Sequence, residues 1–213
     1  MFYLPEKDSN LYKATDQYLW GDNVMVVPVT EKGAKQLNYY IPKGTWTNIN
    51  NYQMIQGPQW IMDTTIKMQS IPVYAKEGSF IPMEAPMMHT DEYSKKKLMV
   101  YYFASTERTS YDLFEDDGTD AQSIQNKEYD LLHFEGKNQL DEINIRINCS
   151  GGKINKKEEK RNMEIRVPNV LTERIIYVDG KKSNQSTFDE SIHGYVIPVS
   201  FEHKPITITL KRK

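Results

Sequence analysis

One cysteine, Cys149, stands in 213 residues. A single thiol makes no intrachain disulfide and supplies no multi-cysteine zinc site. Cys149 ends an alternating run that starts at Ile143, so it is expected to be a strand residue. A nucleophilic thiol needs a base and an electropositive pocket, and the sequence offers neither. Excess charge of either sign is missing too. The chain carries 27 Lys and Arg against 29 Asp and Glu, a formal net charge of -2. That balance gives no long-range attraction to nucleic acid or to an anionic membrane, so neither is expected as a partner. The lysine runs at Lys95–Lys97 and Lys156–Lys157 lie near acids and read as solvated loops. No stretch approaches the length of apolar run that spans a bilayer, so no transmembrane helix is expected. Met1 to Pro5 lacks the charged start and apolar run of a signal peptide. Amphipathic segments of helix length between strands are absent, which argues against a parallel α/β sheet. No phosphate loop, dinucleotide-binding glycine motif or nucleophile elbow occurs, and no cofactor is expected. The compartment is left open.

What the chain does have is apolar alternation. Hydrophobic residues make up 38% of it, enough for a packed core in each of two domains, the number its length favours. The clear helix candidate is Asn10 to Trp20, with Asp8 or Ser9 as cap, Leu11, Ala14, Tyr18 and Leu19 at helical spacing, and Gly21 as the stop. Beyond it the period changes. Val24 to Val29 reads as a buried strand. Leu37, Tyr39 and Ile41 alternate, and Pro42 and Gly44 supply turn chemistry. Ile71, Val73 and Ala75 read as a strand that turns at Glu77-Gly78 into Phe80 and Ile81. Met83 to Lys97 has no period and is expected to be a domain boundary. Alternation resumes at Met99, Tyr101 and Phe103, at Tyr111 and Leu113, and at Ile143, Ile145 and Ile147. It continues at Met163, Ile165 and Val167, and closes at Ile206, Ile208 and Leu210. Ile176 and Val178 precede Asp179-Gly180, a type I′ hairpin signal. The expected class is all-β, two antiparallel β-sandwich domains preceded by one short N-terminal helix.

Several strings follow one another in a telling order. They are Trp20-Gly21-Asp22, the apolar run to Pro28, Ile41-Pro42-Lys43-Gly44-Thr45-Trp46, and Ile71 to Pro82. In this order they resemble the segment that follows the catalytic barrel in family 31 glycoside hydrolases, the α-glucosidase and α-xylosidase family. The resemblance implies that residues 1–20, from Phe2 through the helix, are the end of that barrel. It implies a proximal C-terminal β-sandwich over 21–92 and a distal one over 93–213. The implied role is that of non-catalytic domains of a retaining α-glycosidase of carbohydrate metabolism, which brace the barrel and are inactive alone. The implied partners are the protein's own barrel and the α-linked oligosaccharide that it cleaves. Leu11, Tyr18 and Leu19 would face the barrel, and Leu11, Tyr18 or Leu19 is expected to be unusually exposed in this chain or covered by a neighbouring molecule. A second, looser resemblance runs from Leu98 to Thr119 and rests mainly on the acidic cluster Tyr111 to Asp120, where the family carries an acidic loop. After Gly136 it fades.

A retaining glycosidase needs two carboxylates about 5–5.5 Å apart. The family's nucleophile motif does not occur here, so no catalytic residue is assigned. Glu115, Asp116, Asp117 and Asp120 crowd one loop. Such clusters suit hard cations, yet Asp and Gly are also ordinary hairpin residues. The loop is expected to be a metal-free turn, held by backbone amides around Gly118 and by Lys127. Trp46, Tyr52 and Trp60 could form a sugar-stacking platform, though each is expected to fill a core or seam instead. Two rival readings stay open: a stand-alone carbohydrate-binding module, and a dimerisation or interaction domain forming a homo-oligomer.

Overall fold

The computed structural model describes residues 7–65, 71–94, 96–151, 160–202 and 204–213. The barrel-like string at residues 2–6 thus lies outside the described residues. The chain forms two compact units, Met1–Glu77 and Gly78–Lys213.

The first unit contains helix α1 (Asn10–Lys13) and strands β1 (Tyr18–Trp20), β2 (Val24–Val26), β3 (Leu37–Asn48), β4 (Met54–Asp63) and β5 (Val73–Lys76). They make one sheet in the order β1-β2-β5-β3-β4. The helix expected to run to Trp20 is a single turn. Two long-range demands end it. The buried Gln17 side chain pairs with the Tyr40 backbone as a strand would, giving an N–H to the carbonyl and accepting the amide, both at 2.7 Å. Tyr18, Leu19 and Trp20 then pair with Val26, Met25 and Val24. The link between these strands turns at Gly21, which has φ +66° and no side chain to oppose it.

Pro42 and Gly44 do not reverse the chain. They form a bulge inside β3, between Ile41 and Gly44. Bulges bend strands. Before the bulge β3 pairs only with β4; after it β3 also pairs with β5. The early half of the β3–β4 hairpin therefore lies over β5 and β2, and the Tyr39 hydroxyl meets that of Tyr74 at 2.6 Å. Both layers around this core come from one bent sheet. The core is Met25, Val27, Tyr39, Ile41, Trp46 and Tyr74. Opposite the bulge, a Cβ on Gly57 would sit 1.9 Å from the Pro42 carbonyl oxygen, so only glycine fits.

The second unit is a two-sheet sandwich. Its strands are β6 (Phe80–Met83), β7 (Lys97–Tyr102), β8 (Thr109–Glu115), β9 (Asp130–Asn138), β10 (Glu142–Gly151), β11 (Arg161–Val167), β12 (Arg174–Val178), β13 (Lys181–Lys182), β14 (Thr187–Asp189), β15 (Gly194–Phe201) and β16 (Ile206–Arg212). A six-stranded sheet runs β13-β12-β16-β10-β9-β8, and a five-stranded one β14-β15-β11-β7-β6. All pairs are antiparallel save β7 with β11, which are parallel. The alternating residues read from sequence line one core. Leu132, Phe134, Ile145, Ile147 and Ile208 come from one sheet, and Val100, Met163, Ile165, Ile197 and Phe201 from the other. Full burial of each such side chain is worth about 1.5–3 kcal/mol. Asp179 and Gly180 both take positive φ, 49° and 74°, as a type I′ turn requires. Cys149 is a half-buried strand residue beside this core.

The chain passes from one unit to the other at Glu77-Gly78. Glu77 donates its amide to Thr45, and Gly78 donates its own to Phe103. Strands β5 and β6 thus form no hairpin: β5 belongs to the first sheet and β6 pairs with β7. The stretch 83–97, expected as a boundary, instead links two strands of the same sheet.

Candidate functional site

The acidic string splits into two parts with different surroundings. Glu115 ends β8 and points inward. Its carboxylate meets the Arg161 guanidinium at 2.5 Å, and both side chains are 5% exposed. Glu115 also accepts a hydrogen bond from the Tyr93 hydroxyl. Burial raises the Tyr93 phenol above its ordinary range, and the Glu115 carboxylate adds to this. Arg161 opens β11 in the other sheet. The pair therefore ties the two sheets of the sandwich together at one end.

The three aspartates face their own loop. Asp116 accepts from the Gly118 amide at 2.9 Å and from the Ser123 hydroxyl at 2.7 Å. Asp117 accepts from the amides of Thr119 and Asp120. Asp120 accepts from the Gln122 amide and the Asn126 side chain. Amide donors, as expected around Gly118, hold the carboxylates. Lys127 contributes differently: it takes φ 58° as the left-handed cap of α2 (Ser123–Asn126). Among the described residues no group of three or more His, Cys, Asp or Glu is arranged to hold a metal ion.

The aromatic trio is not brought together. Trp46 is wholly buried in the first core, its indole N–H bonded to the Pro42 carbonyl at 3.1 Å. Trp60 lies on the other face of the sheet, against the Tyr40 ring at a centroid distance of 5.2 Å. Tyr52 is half-buried in the β3–β4 turn with φ 57°. The alternation of strand faces separates Trp46 from Trp60.

Of the residues expected to face a barrel, only Tyr18 is exposed, at 50%. Leu11 packs with Ala14 and Tyr40, and Leu19 packs on the first core. The cause is the strand that replaces the helix: β1 sends Leu19 inward and leaves Tyr18 and Trp20 on the opposite face. Trp20 is 75% exposed. Helical spacing hid it, and a strand reading of residues 18–20 would have found it.

The comparisons with known proteins bear on these features. Residues 1–81 match the family model described as the glycosyl hydrolase family 31 C-terminal domain. The chain is 29% identical over 153 residues to the lysosomal alpha-glucosidase of Mus musculus, which covers 62% of this chain and 16% of that protein. It is 33% identical over 116 residues to the human neutral alpha-glucosidase AB, covering 53% of this chain and 12% of that protein. Among solved structures, the GH31 dextranase of Flavobacterium johnsoniae superposes with a TM-score of 0.85 at 24% identity, over 96% of this chain and 28% of that one. The GH31 alpha-xylosidase of Xanthomonas citri gives a TM-score of 0.67 at 20% identity, over 90% and 19%. The chain thus spans well under a third of the length of each of these relatives. Together with the ordered motifs between Asp16 and Pro82, these matches identify residues 1–81 as a glycosyl hydrolase family 31 C-terminal domain, in a chain similar to α-glucosidases.

Proposed function

We propose that these two units are non-catalytic domains of a retaining α-glycosidase, and that the first unit braces the catalytic barrel of the same protein. The observation that carries this is the outer face of β1. Tyr18 and Trp20 lie there side by side, 50% and 75% exposed, on the unit that matches the family model. Large exposed aromatics grouped on one face mark a surface that is covered in the working assembly. Oligosaccharide cleavage itself belongs to the barrel in this reading.

The test pairs this chain with a separately expressed family 31 catalytic barrel. Association is expected by light scattering, and Trp20→Ser together with Tyr18→Ser should weaken it at least ten-fold. The chain alone should give no turnover of aryl α-glucosides or α-xylosides. Steady turnover that follows the chain through purification and vanishes on a substitution within it would sink the proposal. So would association unaffected by the two serine substitutions.

A further inference from the structure

A cleft of about 410 Å³ opens in the first unit between the β3–β4 turn, the end of β4 and the start of β5. That volume is in the range of small-molecule sites. Its floor is the hydroxyl pair of Tyr39 and Tyr74, both at most 3% exposed and bonded to each other at 2.6 Å. Asn48 pairs with Tyr74 across β3 and β5. One rim is a run of amides, with Asn48, Asn50, Asn51 and Gln53 all lining the opening. The turn that carries them is pinned. Asn48 donates its amide to the Gln53 carbonyl at 2.9 Å, and the Asn50 side chain donates to the Ile71 carbonyl at 2.9 Å. Asp63, at the end of β4, also lines the cleft, its carboxylate accepting from Thr65. Ile55, Ile61 and Pro72 give the walls apolar surface.

We infer that this cleft is a non-catalytic binding site for a neutral polyol the size of one pyranose ring. The chemistry selects that class. Amides and phenols both donate and accept, which suits adjacent hydroxyls. The aliphatic walls suit the C–H faces of the ring. Among the described residues no Lys, Arg or His lines the cleft, which gives an anionic ligand no counter-charge from them. One carboxylate is too few for a hard divalent cation. The floor is rigid because two strands and a buried hydroxyl pair set it. A lone ring buries little surface, so affinity should be millimolar. This site is separate from the β1 face, and either assignment can fail alone.

The experiment is an amide-resolved NMR titration of the full chain with maltotriose, isomaltotriose and, as an anionic control, glucose 6-phosphate. Saturable shifts confined to Asn48–Gln53, Asp63 and Tyr74 are expected with a neutral sugar. Gln53→Ala and Asp63→Ala should each weaken binding at least ten-fold while the melting temperature and barrel association stay unchanged. Gln53 is on the surface of the turn, so it decides the matter should Asp63→Ala lower the melting temperature. The inference is overturned by the absence of saturable shifts up to about 50 mM sugar, well beyond the millimolar range. Binding that survives Gln53→Ala, or equal binding of glucose 6-phosphate, overturns it as well.

Discussion

Replacing Glu115 by Gln removes one charge from a buried pair and leaves its volume in place. In the native protein Arg161 has one compensation for burial, the Glu115 carboxylate at 2.5 Å; its Nη1 is buried without a hydrogen-bond partner among the described residues. Opposite charges this close attract by several kcal/mol at an effective dielectric constant near 20. Withdrawing both from water costs a comparable amount, so the net worth of the pair over a well-packed apolar pair is near zero. Breaking it is another matter. With glutamine at 115, the guanidinium keeps its desolvation cost and loses its counter-charge, a penalty of about 3–5 kcal/mol. Arg161→Met should cost a similar amount, because the Glu115 carboxylate is then left with the Tyr93 hydroxyl. With Glu115→Met as the matching single variant, the double variant with Met at both positions should recover to within about 2 kcal/mol of the parent, so that cycle gives a coupling energy of several kcal/mol.

The assay is urea unfolding followed by two signals. All three tryptophans, Trp20, Trp46 and Trp60, lie in the first unit, so their fluorescence reports that unit and serves as the internal control. Circular dichroism reports both units. The dichroism transition of Glu115→Gln should move to lower urea while the fluorescence transition keeps its midpoint. A loss below about 1 kcal/mol, the range of solvated surface pairs, would refute the reasoning. Additive single substitutions would refute it too, by showing that the two side chains do not depend on each other.

Trp46→Ala should cost about 3–5 kcal/mol, since the ring is wholly buried and its N–H is satisfied; a change below about 0.5 kcal/mol in the dichroism transition would contradict its place in the core. Millimolar calcium should leave the melting temperature unchanged, because amides and side chains already occupy the aspartates of the loop; a rise of several degrees that Asp117→Asn abolishes would overturn this. Burial raises the Tyr39, Tyr74 and Tyr102 phenols above their ordinary value of 10.0. The unfolded chain releases those protons first, so stability is intact below about pH 10 and then falls by up to about 1.4 kcal/mol per pH unit for each; a urea midpoint unchanged at about pH 11 would contradict it.

Local pattern made much of the second unit legible. Ile143 to Ile147 and Ile206 to Leu210 alternate with one wet face, and each faces the core as alternation requires. Asp179-Gly180 was readable because its turn type is decided by two adjacent residues. The failures all turn on partners distant in sequence. Leu11, Ala14 and Tyr18 fit a helix as well as any local rule can tell, and it is the Tyr40 backbone, 23 residues from Gln17, that draws this segment into extended form. Pro42 and Gly44 have the composition of a turn, and a bulge uses the same residues. The assignment of β5 and β6 to different sheets is invisible in either strand. Both are short apolar segments, and their partners, at Val24–Val26 and Met99–Tyr102, decide where each belongs.

The acidic loop shows the same division within ten residues. Asp116, Asp117 and Asp120 bond to amides two or three positions ahead, so their fate is local and follows from the Asp-Asp-Gly string. Glu115 carries the same charge and adjoins them, yet it is buried, because Arg161 stands 46 positions away on the facing sheet. No neighbour of Glu115 announces that. The one local hint is its parity: in β8 it continues the inward set of Tyr111 and Leu113, residues that pack on the core. A carboxylate at an inward strand position needs a cation there. Sequence periodicity can therefore flag that a partner is required, and only the folded chain can name it.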